Sequence, residues 1–138
     1  MEGVHWLAGR IERVLELVPD TAAGGEQARK SRKAFLGEIS LLVDEVATRP
    51  GVTAAFASYE GFVVAASGVD HDLADALAAM AQSSMEPARH TAGALSLGNL
   101  RQLVIVGDKN KLALIRVGPV SIGVLSPTDV NLGESTAA

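Results

Sequence analysis

The chain has no cysteine. That excludes disulfides, thiolate metal sites and a thiol nucleophile, and it accords with a reducing compartment. No apolar run reaches the roughly 20 residues of a membrane-spanning helix. The opening "MEGVHWLAGRIERVLELV" is not a signal peptide, because Arg10, Glu12, Arg13 and Glu16 interrupt any apolar stretch. A cytoplasmic protein with no stable membrane insertion is therefore expected. Basic excess is lacking too: 12 Lys and Arg stand against 16 Asp and Glu, for a net charge of -4. Nucleic acid is then not an expected partner, since phosphate binding needs a basic surface.

The catalytic templates are equally thin. No G-x-x-x-x-G-K-[ST] loop is present, so the chain is not itself a P-loop GTPase. "DKNK" at 108–111 lies between two strand patterns and reads as a turn, in which Asp108 and Asn110 accept unusual backbone angles. His5, His71 and His90 are too dispersed for a local metal motif. "DHD" at 70–72 reads as a helix cap rather than an imidazole held between carboxylates. Ser83, Ser84 and His90 lack a nucleophile-elbow pattern, and "GDKN" and "SLGN" are too short for dinucleotide loops. The expectation is no catalytic residue, no cofactor, no metal and no enzyme.

What remains is a globular balance: 138 residues, 48% hydrophobic and 20% charged, near the usual size of one domain. Val4, Leu7, Ile11, Val14, Leu15 and Val18 recur at helical spacing, which predicts an amphipathic helix over 4–18, stopped by Pro19. "PDTAAGGEQ" reads as a linker. "ARKSRK" carries Arg29, Lys30, Arg32 and Lys33. It is either a solvated helix start or a site for an anionic partner, and without a wider basic face the first reading is favoured. Phe35, Leu36, Ile39, Leu42, Val43 and Val46 predict a helix over 34–48, ended by "RPG".

Strands are expected over 52–59 and 62–67, with Gly61 supplying the positive φ of a tight hairpin. A helix capped by Asp70 or Asp72 should run from about 72 toward 95, with a kink or break near Ser83–Glu86 ahead of Pro87. Three strands follow, over 101–107, 111–118 and 120–126, and their short connections imply antiparallel neighbours. In "LALIRV", Leu112 and Leu114 alternate with Ala113, Ile115 and Val117, so the sheet is apolar on both faces and needs helices on both.

This order, from Ala34 to Gly133, resembles the Roadblock/dynein light chain family. "LLVDEVATRPGVTAAFASYEGFVVAASG" is similar to the family's first helix, its "PGV" entry into strand one and its glycine-led second strand. "DLADALAAMAQ" is similar to its small-residue central helix, and "LVIVGDKNKLALIRVGPVSIGVLSPTDVNLG" to its three closing strands and "NLG" ending. The resemblance implies an α/β (α+β) fold, a five-stranded antiparallel sheet covered by helices on both faces. It also implies a dimer with a continuous sheet, no catalysis, and a platform role beside small Ras-like GTPases. The bacterial regulators of gliding polarity are the nearest analogy. The expected division is an N-terminal helix and linker (1–33), a Roadblock-like domain (34–133) and a short tail (134–138). The extra N-terminal helix and the short "GESTAA" ending depart from the family, so nothing assigned to its final helix carries over.

The central helix poses the sharpest question, because "LADALAAMAQ" is apolar on nearly every side. A surface helix should keep a polar face. One side is expected to pack on its own sheet and the other on the same helix of a partner. The expected dimer interface is Ala74, Leu77, Ala78, Ala79, Ala81, Leu103 and Ile105, with strand "RQLVIVG" pairing to its own copy. The partners are then a second copy and a small Ras-like GTPase. The other readings are a helix buried in a monomer core, and a small-ligand sensor or general scaffold subunit. For a sensor, the closing strands offer Arg116 as their only interior charge.

Overall fold

The computed structural model describes residues 6–16 and 25–129. Eight elements follow in order: α1 (Trp6–Leu15), α2 (Gly25–Ala47), β1 (Ala54–Tyr59), β2 (Phe62–Ser67), α3 (His71–Ala94), β3 (Gln102–Val106), β4 (Asn110–Val117) and β5 (Val120–Pro127). The strands form a five-stranded sheet in the order β2-β1-β5-β4-β3, with every neighbouring pair antiparallel. Val4, Val18, most of the expected linker and the "NLG" ending lie outside the described residues.

The alternation in β4 sorts the two faces. Ala113 and Ile115 join Ala55 and Ala57 of β1 and Val120, Ile122 and Val124 of β5 in one cluster, beneath α1 and α2. Leu114 joins Phe56 in the other, beneath Ala74, Ala78, Ala81 and Met85 of α3. Helices thus cover both faces, as a sheet apolar on both requires.

The β1–β2 hairpin closes through Glu60 and Gly61, at φ 51° and 90°, between the paired Tyr59 and Phe62. Two consecutive positive φ values match the right-handed twist of the strands. Asp70 caps α3: its Oδ1 accepts from the Leu73 backbone N–H at 2.7 Å. A carboxylate there satisfies an orphan donor and sits at the positive end of the helix dipole.

Several expectations need correction. The helix α3 runs unbroken through Pro87. The proline removes one donor from the ladder, but Ser83 and Pro87 are both exposed, which leaves the Ser83 carbonyl open to water. The helix α2 begins at Gly25, well ahead of the expected helix start at 34. Arg29, Lys30, Arg32 and Lys33 are exposed on its first turns, ahead of Phe35, and all favour a helix. Leu36 is not part of the buried stripe and is 39% exposed. Neither Asp108 nor Asn110 takes a positive φ. The β3–β4 turn is held instead by Gly107 N–H on the Asn110 carbonyl and by the Thr128 hydroxyl on the Gly107 carbonyl.

The N-terminal helix docks on its own protomer, against α2 and β4. Leu7, Ile11 and Val14 are buried in the cluster under α2. Each such side chain contributes about 1.5–3 kcal/mol before ordering costs. A polar clasp closes the contact. Arg10 donates through Nη1 to Glu45 Oε1 at 3.1 Å and through Nη2 to Oε2 at 2.8 Å. The Arg49 guanidinium lies 3.9 Å from the Trp6 ring centroid.

The hydrogen bond from Arg10 holds the Glu45 carboxyl below the usual carboxylate range, and the same bond raises the Arg10 guanidinium. The clasp therefore adds stability above the unfolded carboxylate pKa, and loses it as pH falls through the lower folded value. Both side chains are about 40% exposed. The effect should stay within the roughly 0.2–1 kcal/mol of exposed pairs. Acidification below about pH 4.3 is expected to shift the fluorescence of Trp6, the one tryptophan, and Glu45→Gln should remove that pH dependence. An identical acid profile in both proteins would refute the clasp.

Candidate interaction surface

The face of α3 that meets the sheet is made of its smallest side chains. Ala74 is 0% exposed and Ala78 3%, and both pack on Phe56 and Leu114. Their spacing keeps them on one line of the helix, and their size lets the helix lie close to the strands. α3 lies over β2 and β1 at one side of the sheet. Its cover gives out toward the other side: Leu114 of β4 is still buried beneath it, whereas Ile105 of the edge strand β3 is exposed.

The uncovered region is apolar. Leu112 of β4 borders it, and register pairs Leu112 with Ile105 and the buried Leu114 with Leu103 of the edge strand β3. Ile105 is 47% exposed, while Leu103 and Leu112 are half-buried against the α3 cluster. The flank of α3 above them carries Leu73, Leu77 and Met80, spaced at i, i+4 and i+7. Leu73 and Met80 are half-exposed. Together, the flank and the two strands form an apolar trough ending at the free edge of β3. Contiguous apolar patches with an open strand edge mark interaction surfaces in folded proteins.

The structure divides the expected interface residues. Leu77, Leu103 and Ile105 lie along the trough, and Ala79 is exposed on the outer side of α3. Ala74, Ala78 and Ala81 are already buried against their own sheet, so they present no surface to a partner. The physical reason is periodicity: small residues at 74, 78 and 81 mark the line closest to the strands. Sequence reasoning missed Leu73 and Met80. Their i, i+7 relation on either side of Leu77 is the signal that finds them.

The other sequence features make local structural contacts. Asp70 of "DHD" is the cap, and His71 Nε2 lies 3.7 Å from Asp75 on exposed helix surface. Ser84 and Thr91 bond back to the carbonyls of Met80 and Pro87 within α3. Among the described residues no group of three His, Asp or Glu side chains is placed to hold a metal ion, and no helix is long and apolar enough to cross a membrane.

Comparison with known proteins agrees with this architecture. No curated protein matches the chain. Among solved structures, a Roadblock/LC7 domain from Streptomyces avermitilis is 26% identical, with a TM-score of 0.61 over 71% of this chain and 88% of its own. Myxococcus xanthus MglB is 16% identical, with a TM-score of 0.65 over 74% of this chain and 79% of its own. The gliding protein MglB of Thermus thermophilus is 17% identical, with a TM-score of 0.63 over 86% of this chain and 87% of its own. At such identities the two MglB proteins testify to the fold alone. The sequence profile of the Roadblock/LC7 domain matches residues 38–126, and with that span the chain belongs to the Roadblock/LC7 family.

Proposed function

We propose that this protein is a non-catalytic, dimeric platform that binds and regulates a small Ras-like GTPase. The observation that carries the reading is the apolar trough between α3 and the β3 edge, which the described helices leave partly uncovered. A second copy related by a two-fold axis supplies the same trough, and pairing of the two β3 edges joins two sheets into one. That arrangement uses Leu73, Leu77, Met80, Leu103 and Ile105 from each protomer. Family membership and the shared fold of the MglB gliding proteins support a GTPase as partner, as an analogy of fold.

Regulation by positioning fits the residues better than an arginine finger. Arg89 is already paired with Glu86 at 3.1 Å, and the Arg116 Nε–H donates to the Gly118 carbonyl. Arg101 is exposed beside the β3 edge, with no local pattern that marks a finger. The net charge of -4 favours a partner with a basic contact face. The test is single-turnover GTP hydrolysis by a Ras-like GTPase encoded beside this protein, with and without it, alongside a binding titration in each nucleotide state. The expected result is nucleotide-dependent binding and an altered hydrolysis rate, with no hydrolysis by this protein alone. Absence of binding in both states would overturn the reading.

A further inference from the structure

A second concave feature lies at the end of the sheet where the β1–β2 and β4–β5 turns meet the underside of α3. It is a cleft of about 270 Å³. Its floor is a lateral row of three polar residues on neighbouring strands. Ser58 of β1 pairs with Ser121 of β5, and Ser121 with Arg116 of β4. The adjoining row is apolar, Phe56, Gly123 and Leu114. The roof is α3, with Met85 and Gln82 above the floor.

The two serines of the polar row are unspent. Ser58 is only 6% exposed, yet neither its hydroxyl nor that of Ser121 has a hydrogen-bond partner among the described residues. The hydroxyls line the cleft, where a bound group can reach them. The Arg116 Nε–H is tied to the Gly118 carbonyl at 3.2 Å, which anchors the guanidinium at the β4–β5 turn. Among the described residues no carboxylate lies within ion-pair distance of Arg116. A guanidinium and two hydroxyls lining one cleft match a planar carboxylate, which can accept from all three.

The rim carries the opposite charge. Glu60, in the tight turn between β1 and β2, faces the cleft and has no ion-pair partner among the described residues. Glu86 on α3, paired with Arg89, adds a second carboxylate. Acids on the rim disfavour a bare anion and favour a ligand with an ammonium group at that end. The walls between the two charged ends are Met85, Ala78 and Leu114. The volume lies just below the roughly 300–1,000 Å³ of drug-sized ligand pockets, which limits the occupant to a small metabolite. Gln82 and Glu86 sit on the opposite flank of α3 from Leu73, Leu77 and Met80, by their helical spacing. The cleft is therefore separate from the trough and does not depend on the function proposed for it.

We propose that this cleft binds a small zwitterion of the α-amino-acid class with an aliphatic side chain: carboxylate on Arg116, Ser58 and Ser121, ammonium toward Glu60, side chain against Met85 and Leu114. The probes are L-leucine and L-methionine, with N-acetyl-L-methionine and L-methionine methyl ester as controls that each remove one charge. Titration of the full chain is followed by amide chemical shifts. Saturable shifts at Ser58, Gln82 and Ser121 with the free amino acids are expected, with both controls weaker. Arg116→Gln should weaken binding about tenfold or more, as loss of a charge-assisted bond does, and Glu60→Gln should weaken it less. Both positions are exposed, so the fold should survive. No shift with either amino acid at millimolar concentration would overturn the proposal. So would controls that bind as well as the parent, or Arg116→Gln that binds unchanged.

Discussion

Gly123→Ala is expected to destabilise the protein by about 2 kcal/mol, although it adds one methyl group and leaves a strand residue on a strand. The reason is local. A Cβ at Gly123 would overlap the Phe56 ring, which lies across the glycine from the neighbouring strand β1. Phe56 is 2% exposed and held by Ala74, Ala78, Ala81, Met85 and Leu114, so it has no room to swing away. Overpacking of a tight core costs about 1–3 kcal/mol. The melting temperature should fall by several degrees. A shorter side chain at 56 relieves the overlap, so Phe56→Leu should offset much of the loss. Thermal unfolding of the two single variants and the double variant gives the coupling directly. Strict additivity would show that the ring and the glycine do not meet.

Met80→Glu combined with Ile105→Glu should convert the proposed dimer to a folded monomer. Both side chains are about half exposed in one chain, so the charges cost little in the isolated protomer. In a dimer sealed by the trough they would be buried without partners, at several kcal/mol each. Ala78→Glu is the informative contrast. Ala78 is 3% exposed against its own sheet, so a carboxylate there should unfold the chain rather than divide two copies. Light scattering reports mass, and far-ultraviolet circular dichroism reports fold. A wild-type monomer at micromolar concentration, or a double variant that remains dimeric, would remove the trough as the self-association surface.

The contrast between Ala78 and Met80 shows how far the sequence could be read. Element order and the two-sided sheet were legible, because Leu112 and Leu114 alternate with Ala113 and Ile115 in an unambiguous period of two. Direction around α3 was not. Its alanines offer little polar contrast, so the line facing the strands could not be told from the line facing outward. The Leu73, Leu77 and Met80 series was present but masked by the more conspicuous alanines. The start of α2 was lost for the opposite reason. Its Arg and Lys residues favour a helix but lack the apolar stripe on which the reading relied. The row of Ser58, Ser121 and Arg116 was out of reach, because it depends on β1 lying beside β5. No local signal specifies that pairing.

That same pairing divides the sheet by the length of chain each contact encloses. The β1–β2 hairpin and the β3–β4–β5 meander are closed by short turns, and each can form on its own local contacts. Among the described strands only the ladder from Ala54–Leu125 to Tyr59–Val120 joins them, and it must enclose all of α3. Loop-closure entropy falls on this one seam. Folding should therefore wait on its formation. Substitutions at Ala57 or Ile122 in the seam should slow refolding, while those at the Glu60–Gly61 turn should act chiefly on unfolding. Equal refolding rates for both sets would place the barrier elsewhere. In kinetic terms the molecule is two small local sheets and one late suture.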